Sequence, residues 1–283
     1  MLTTIIALCL RITSNPAANA VQKALSKKHS ATMINLYVFG FLSLFCIIPA
    51  SLNNWSSYTL EYWNYVLLAG CLCTLGSICL IKALQYGEMS ILGPINSYKC
   101  LVGLLFGYIM LGEIPSIRGI IGTLLIIFGS WFIFDTVKTD GFFKILFRKD
   151  IFLRFCTLFF TGCEAVVLKK IILLSSPKES LILWCFSGFI FTLLLAILFK
   201  VKIKKISKKD TFLTLLIAVC LGIMQYSTNI VFEKINVGLS LALFQLSGII
   251  SILFGYFIFK EHRLRKKLLG TVIMIAGSCL ILL

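Results

Sequence analysis

The chain has 283 residues, of which 59% are hydrophobic and only 13% charged, with a mean hydropathy of +0.99. Water-soluble domains run about 45–50% apolar and about 25% charged, so a soluble enzyme is excluded. The formal charge of +16 does not point to nucleic acid, because Lys and Arg sit in short clusters between apolar runs, the pattern of cytoplasmic loops in membrane proteins.

A membrane helix needs roughly 20 apolar residues. Ten runs of that kind fit the chain: about Thr3 to Leu25, Ala31 to Leu52, Tyr62 to Leu84, Met89 to Leu111, Ile117 to Phe134, Ile151 to Leu174, Leu181 to Phe199, Thr211 to Phe232, Val237 to Phe259 and Leu264 to Leu283. The expectation is an all-α integral membrane protein of ten transmembrane helices, with no room for a separate aqueous domain. Span 1 ends in Ala18-Asn19-Ala20, which resembles a signal-peptidase site. It lacks a basic n-region and is interrupted by Arg11, so it reads as a span. The eleven cysteines lie within apolar runs, without a C-x-x-C pair or a nearby histidine. They read as small buried hydrophobes, so neither disulfides nor a metal site is expected, and no cofactor.

A charge near the bilayer centre costs at least about 2.5 kcal/mol, so it persists only when paired or facing water. In span 1, Arg11, Asn15 and Asn19 share a stripe, with Lys23 one turn nearer the surface and Pro16 expected to interrupt the helix. Trp55, Tyr58, Tyr62 and Trp63 precede and open span 3 as an interfacial aromatic belt. Span 4 carries Pro94, expected to loosen the helix toward its start, with Asn96 and Lys99, the last about ten residues from either end, and Gly103 and Gly107 on the same face. Span 6 carries Arg154, Thr157, Thr161 and Glu164 at helical spacing. Span 8 offers Gln225, Asn229 and Glu233 beside Tyr226, and span 9 offers Gln245. Lys82, Glu88, Lys169 and Lys170 lie near span ends, where long side chains snorkel. His29 and His262 fall in basic loops, away from bilayer depth.

Sliding the chain on itself by 148 residues lays Leu105-Phe106-Gly107-Tyr108 on Leu253-Phe254-Gly255-Tyr256, Glu113 on Glu261, Gly122 on Gly270 and Gly129 on Gly277. The chain therefore divides into a five-helix unit at 1–135, a linker at 136–150 and a second unit at 151–283. Five is odd, so the copies must enter the membrane from opposite sides, giving two inverted five-helix repeats. Loop charge agrees: Asn53 to Glu61 holds no Lys or Arg, while the matching loop after span 7 holds Lys200, Lys202, Lys204, Lys205, Lys208 and Lys209. The basic loops all follow odd-numbered spans, which taken literally puts both termini outside.

A span ending in Leu111-Gly112-Glu113, then a short turn and a span with Gly122 and Gly129, followed in the second half by Glu261, Gly270 and Gly277, resembles the paired repeat of EamA-type transporters of the drug/metabolite transporter superfamily. The likeness covers nearly the whole chain. It departs at Lys260, where glycine usually precedes the glutamate, and the family more often keeps both termini inside, so two orientations stand. The glycine pairs, each seven residues apart, are expected to pack helices closely. Glu113 and Glu261 fall at helix starts and are expected to cap the next helix.

The resemblance implies a secondary transporter, not an enzyme, in a bacterial cytoplasmic membrane, with lipids and a small solute as partners and no nucleic acid. Its cavity is expected between spans 1, 3, 4, 6, 8 and 9. Without a phosphate-binding loop, a gradient must drive it. Substrate-binding candidates are Lys99, Arg11, Asn15, Asn19, Asn96, Gln225, Asn229, Gln245 and Tyr226, with Glu164 as the proton-coupling acid. Two buried cations against one carboxylate favour an anionic or zwitterionic metabolite. A simpler reading is that Arg11, Lys99 and Glu164 only neutralise one another. An exporter of amphipathic drugs or amino acids also fits the composition, as does an intramembrane enzyme acting on lipid-linked substrates, for which no catalytic motif is present.

Overall fold

The computed structural model describes residues 2–99, 101, 117–134, 145–203, 206–235 and 237–282. Among them the regular elements are all helical: α1 (Leu2–Ser26), α2 (Ala31–Ser51), α3 (Leu60–Tyr86), α4 (Met89–Leu92) running into a 3-10 turn (Pro94–Tyr98), α5 (Ile117–Phe134), α6 (Lys149–Leu174), α7 (Pro177–Leu198), α8 (Lys208–Lys234), α9 (Val237–Phe244), α10 (Ser247–Phe259) and α11 (Leu264–Leu282). Hydroxyls start several of them. Ser30, Thr59, Ser176 and Ser207 accept from the amides of Met33, Tyr62, Glu179 and Asp210, satisfying donors left open at a helix N-terminus.

Among the described residues, seven stretches are long and apolar enough to cross a bilayer: Ala31–Ser51, Leu60–Tyr86, Ile117–Phe134, Lys149–Leu174, Pro177–Leu198, Lys208–Lys234 and Ser240–Phe259. The remaining expected spans fall short for identifiable reasons. The polar stripe of α1 dilutes its hydropathy, α11 opens on Arg265, Lys266 and Lys267, and most of the rest of span 4, with Glu113, Gly103 and Gly107, lies outside the described residues.

The helices pack in pairs that exchange under the 148-residue shift. α1 lies on α8 and α3 on α6, while α2 lies on α7 and α5 on α11. The self-matched pairs run antiparallel. Asn35 Nδ2 donates to Thr192 Oγ1 (2.9 Å) and Ser43 Oγ to the Cys185 carbonyl (3.1 Å), so numbering rises along α2 as it falls along α7. In the other pair a Cβ on Gly270 would lie 2.5 Å from the Gly129 carbonyl oxygen, and one on Gly277 2.6 Å from that of Gly122. Only glycine permits such an approach.

Proline did not act where expected in α1. The helix continues through Pro16, which is buried, and pairs with α8. The interruptions fall in spans 4 and 9. In span 4 the Asn96 amide turns back to the Gly93 carbonyl (3.1 Å), leaving the Leu92 carbonyl without its helical partner. In span 9 the Gln245 amide bonds to the Ala242 carbonyl (3.0 Å), releasing that of Leu241. Shifted by 148, Gly93 to Tyr98 becomes Leu241 to Leu246, so the two breaks match. The expected aromatic belt is a packed cluster, with Tyr58 and Tyr62 stacked at 4.3 Å and Tyr62 buried within the fold.

Candidate functional site

Between the two broken spans lies a cavity of about 130 Å³. α1 contributes Arg11, Asn15, Asn19 and Gln22; α3 contributes Cys73, Gly76 and Ser77; span 4 contributes Asn96 and Lys99; and α6 contributes Arg154, Thr157, Thr161 and Glu164. Trp184 of α7, Gln225, Thr228 and Phe232 of α8, and Leu241 and Phe244 of α9 complete the wall.

Arg11 donates through Nε to Thr228 Oγ1 (2.9 Å), and its guanidinium carbon sits 4.6 Å from the centre of the Phe244 ring. Its Nη1, Asn19 Oδ1 and Gln22 Oε1 are buried with no hydrogen-bond partner among the described residues. Buried polar atoms are costly to leave unsatisfied. Such atoms on a cavity wall are contacts available to a solute. Glu164 accepts from Trp184 Nε1 (2.9 Å), and Lys99 lies within electrostatic reach of Glu164.

Arg154 is committed differently. Its Nε donates to the released Leu92 carbonyl (2.8 Å) and its Nη2 to Asn96 Oδ1 (3.1 Å). Asn96 Nδ2 donates to Gln245 Oε1 (3.1 Å), and Gln245 Nε2 to the released Leu241 carbonyl (2.8 Å). One chain of donors thus stabilises both breaks and joins them.

Of the candidates read from sequence, Lys99, Arg11, Asn15, Asn19, Asn96, Gln225 and Glu164 line the cavity. Three do not. Asn229 is fully buried between Gln225 and the Pro177 carbonyl, Gln245 is spent on Asn96 and Leu241, and Tyr226 is 42% exposed on the outer surface. Gln22, Thr228 and Trp184 were not anticipated. Gln22 continues the stripe of Arg11, Asn15 and Asn19 and was legible, whereas no periodicity marks Trp184.

One residue past Gln22, Lys23 is buried rather than surface-directed, with Nζ 2.8 Å from Glu261 Oε1 and 2.8 Å from the Gly87 carbonyl. Glu261 caps a helix, though not the one that follows it. Its oxygens accept from the amides of Met89 (2.9 Å) and Ser90 (2.8 Å) at the start of α4, and from the Ser90 hydroxyl. Lys267 Nζ closes the network on Glu88 Oε2 (2.6 Å) and Ser90 Oγ (2.6 Å). Burial pushes the Glu261 carboxyl up, but the bonds from Lys23 and Ser90 outweigh it and hold the group below its ordinary value. Among the described residues no cluster of His, Cys, Asp and Glu is arranged to hold a metal ion.

No curated protein matches the chain. One crystal structure superposes with a TM-score of 0.69 over 99% of this chain and 94% of its own, at 12% identity, a likeness of fold alone. The sequence matches the EamA-like transporter family twice, over residues 3–135 and 148–283. With both halves matched, the chain belongs to the EamA-like transporter family, multi-pass membrane proteins of the drug/metabolite transporter superfamily.

Proposed function

We propose that this protein is a secondary transporter of a small anionic or zwitterionic metabolite, working by alternating access through ten spans arranged as two inverted five-helix repeats. The observation that carries the reading is the charge on the cavity wall, where, among the described residues, Arg11, Lys99 and Arg154 face the one carboxylate of Glu164. Arg154 is occupied with the helix break, and the solute's anionic group is assigned to Arg11 and Lys99, which line the same cavity. Asn15, Asn19 and Gln225 orient it, with Gln22 and Thr228 beside them. Glu164 is the residue proposed to carry a coupled proton. Antiparallel packing of the matched helices supports the inversion, since two similar bundles of opposite direction can exchange conformations around one site.

The test is thermal unfolding in detergent across a panel of dicarboxylates, amino acids and quaternary amines, followed by uptake of any stabilising compound into reconstituted vesicles. At 100 times its dissociation constant a ligand stabilises by about 2.7 kcal/mol. Carboxylate-bearing compounds are expected to shift the midpoint in the parent and not in Arg11→Ala or Lys99→Ala. Stabilisation by quaternary amines alone would overturn the assignment of charge.

A further inference from the structure

We propose that Lys23, Glu261, Ser90, Lys267 and Glu88 form the gate that holds the cavity closed toward the face bearing the basic loops, and that its strength comes from charge matching which the sequence does not repeat at the positions related by the 148-residue shift. This rests on the alternating-access reading above.

Its position is the first support. Gln22 lines the cavity, and the next residue, Lys23, begins the network, so the ions lie where the cavity ends. Ser26, Gly87 and the loop of Lys260 and Arg263 belong to the same end of the bundle, which is the end with the basic clusters. The second support is connectivity. Lys23, Glu88 and Ser90 belong to the first half, and Glu261 and Lys267 to the second. If the halves part here, Lys23–Glu261 and Lys267–Glu88 are broken together with the bonds from Met89 and Ser90.

The closed arrangement is tolerable only while its charges balance. Lys267 is 1% exposed, and Lys23 and Glu261 are each 8% exposed. Removing the Glu261 carboxylate leaves the buried Lys23 ammonium without its counter-charge while Lys267 keeps Glu88, a state far less favourable than the intact pair. Hydration relieves it, and water reaches these groups when the mouth opens. A neutralising substitution should therefore shift the population toward the open form.

The asymmetry is written in the sequence. The 148-residue shift carries Lys23 to Ile171, Ser90 to Gly238 and Lys267 to Gly119. At the other end Lys169 Nζ reaches the Ile235 carbonyl (3.3 Å), the counterpart of the Gly87 carbonyl that Lys23 holds. The backbone contact is repeated there, while the two lysines and the serine around the carboxylate are not encoded at the matching positions.

The experiment needs no solute. In protein with the native cysteines replaced, Ser77 on the cavity wall becomes the only cysteine (Ser77→Cys), and a membrane-impermeant charged maleimide is applied to each face of sealed vesicles. The parent is expected to label slowly from the basic-loop face. Glu261→Gln should raise that rate on the order of tenfold or more. Lys23→Met gives the same readout should Glu261→Gln not fold, and Lys169→Met should leave the basic-face rate unchanged. If both gate variants fold and label at the parent rate, the gate proposal fails while the transporter reading stands. Labelling from neither face in any variant, or equally from both faces in the parent, would instead sink the alternating-access reading.

Discussion

Gly270 gives the sharpest test of how the bundle is held together. Replacing it with alanine places a Cβ 2.5 Å from the Gly129 carbonyl oxygen, where such contacts do not close below 3.0 Å, so α5 and α11 must separate by the difference, about 0.5 Å. A gap of that size forfeits roughly a quarter of the contact energy along the seam, and overpacking of this kind costs about 1–3 kcal/mol. Removing a glycine from a helix returns about 0.5–1 kcal/mol, leaving a net loss of up to about 2.5 kcal/mol. In a chain of this size that is a midpoint lower by up to about 10 °C. Thermal unfolding in detergent followed by tryptophan fluorescence measures it. Gly277→Ala should behave alike, since its Cβ would meet the Gly122 carbonyl at 2.6 Å. Gly40→Ala is the control, because its Cβ would sit at an ordinary 3.5 Å from the Phe189 ring and collects only the gain in helix propensity. If Gly270→Ala gains stability as Gly40→Ala does, the close antiparallel contact between the matched helices is wrong.

Arg154→Lys should destabilise the protein by about 1–3 kcal/mol, because a single ammonium cannot reproduce the fork that holds the Leu92 carbonyl and Asn96, and chemical unfolding in mixed micelles would register it. Tyr226→Ala should leave solute-dependent stabilisation unchanged, its side chain lying outside the cavity, whereas Gln225→Ala should weaken it in the same thermal assay. Acid should loosen the basic-loop face. Glu261 is held below its ordinary value despite burial, by Lys23 and Ser90, and Asp210, ahead of the apolar run of α8, is held down chiefly by His29, whose Nε2 lies 3.1 Å away. A carboxylate depressed in the folded state contributes stability that is present above its unfolded value and lost as pH falls through the folded one. Unfolding midpoints should therefore be flat near neutrality and drop as pH falls through the ordinary carboxylate range and below it, and His29→Ala should lower the midpoint near neutrality and shrink the acid drop, because less of the Asp210 depression is left to lose.

The cavity wall was legible where a helix face repeats. Arg11, Asn15 and Asn19 recur every four residues, and all three line the cavity. Asn229 obeys the same spacing rule with Gln225, yet it is buried against the Pro177 carbonyl, because periodicity assigns a face and not the neighbour that covers it. Pro94 marked one helix break correctly, while Pro16 was carried through α1, and the break at Gln245 has no proline to announce it. Glu261 was recognised as a cap, but the helix it caps is 171 residues away in sequence, in the other half.

Sequence by itself determined that the chain is a duplicated, membrane-embedded helical protein. Transfer into hydrocarbon depends on the local sum of side chains, and a duplication is a comparison of the chain with itself. Tertiary structure alone decided which buried charges meet. Lys23 finds Glu261, Arg154 finds Leu92 and Asn96, and Arg11 is left with Nη1 unpartnered among the described residues. The pairing of an ion at low dielectric is fixed by atoms a few ångströms away, wherever they lie along the chain.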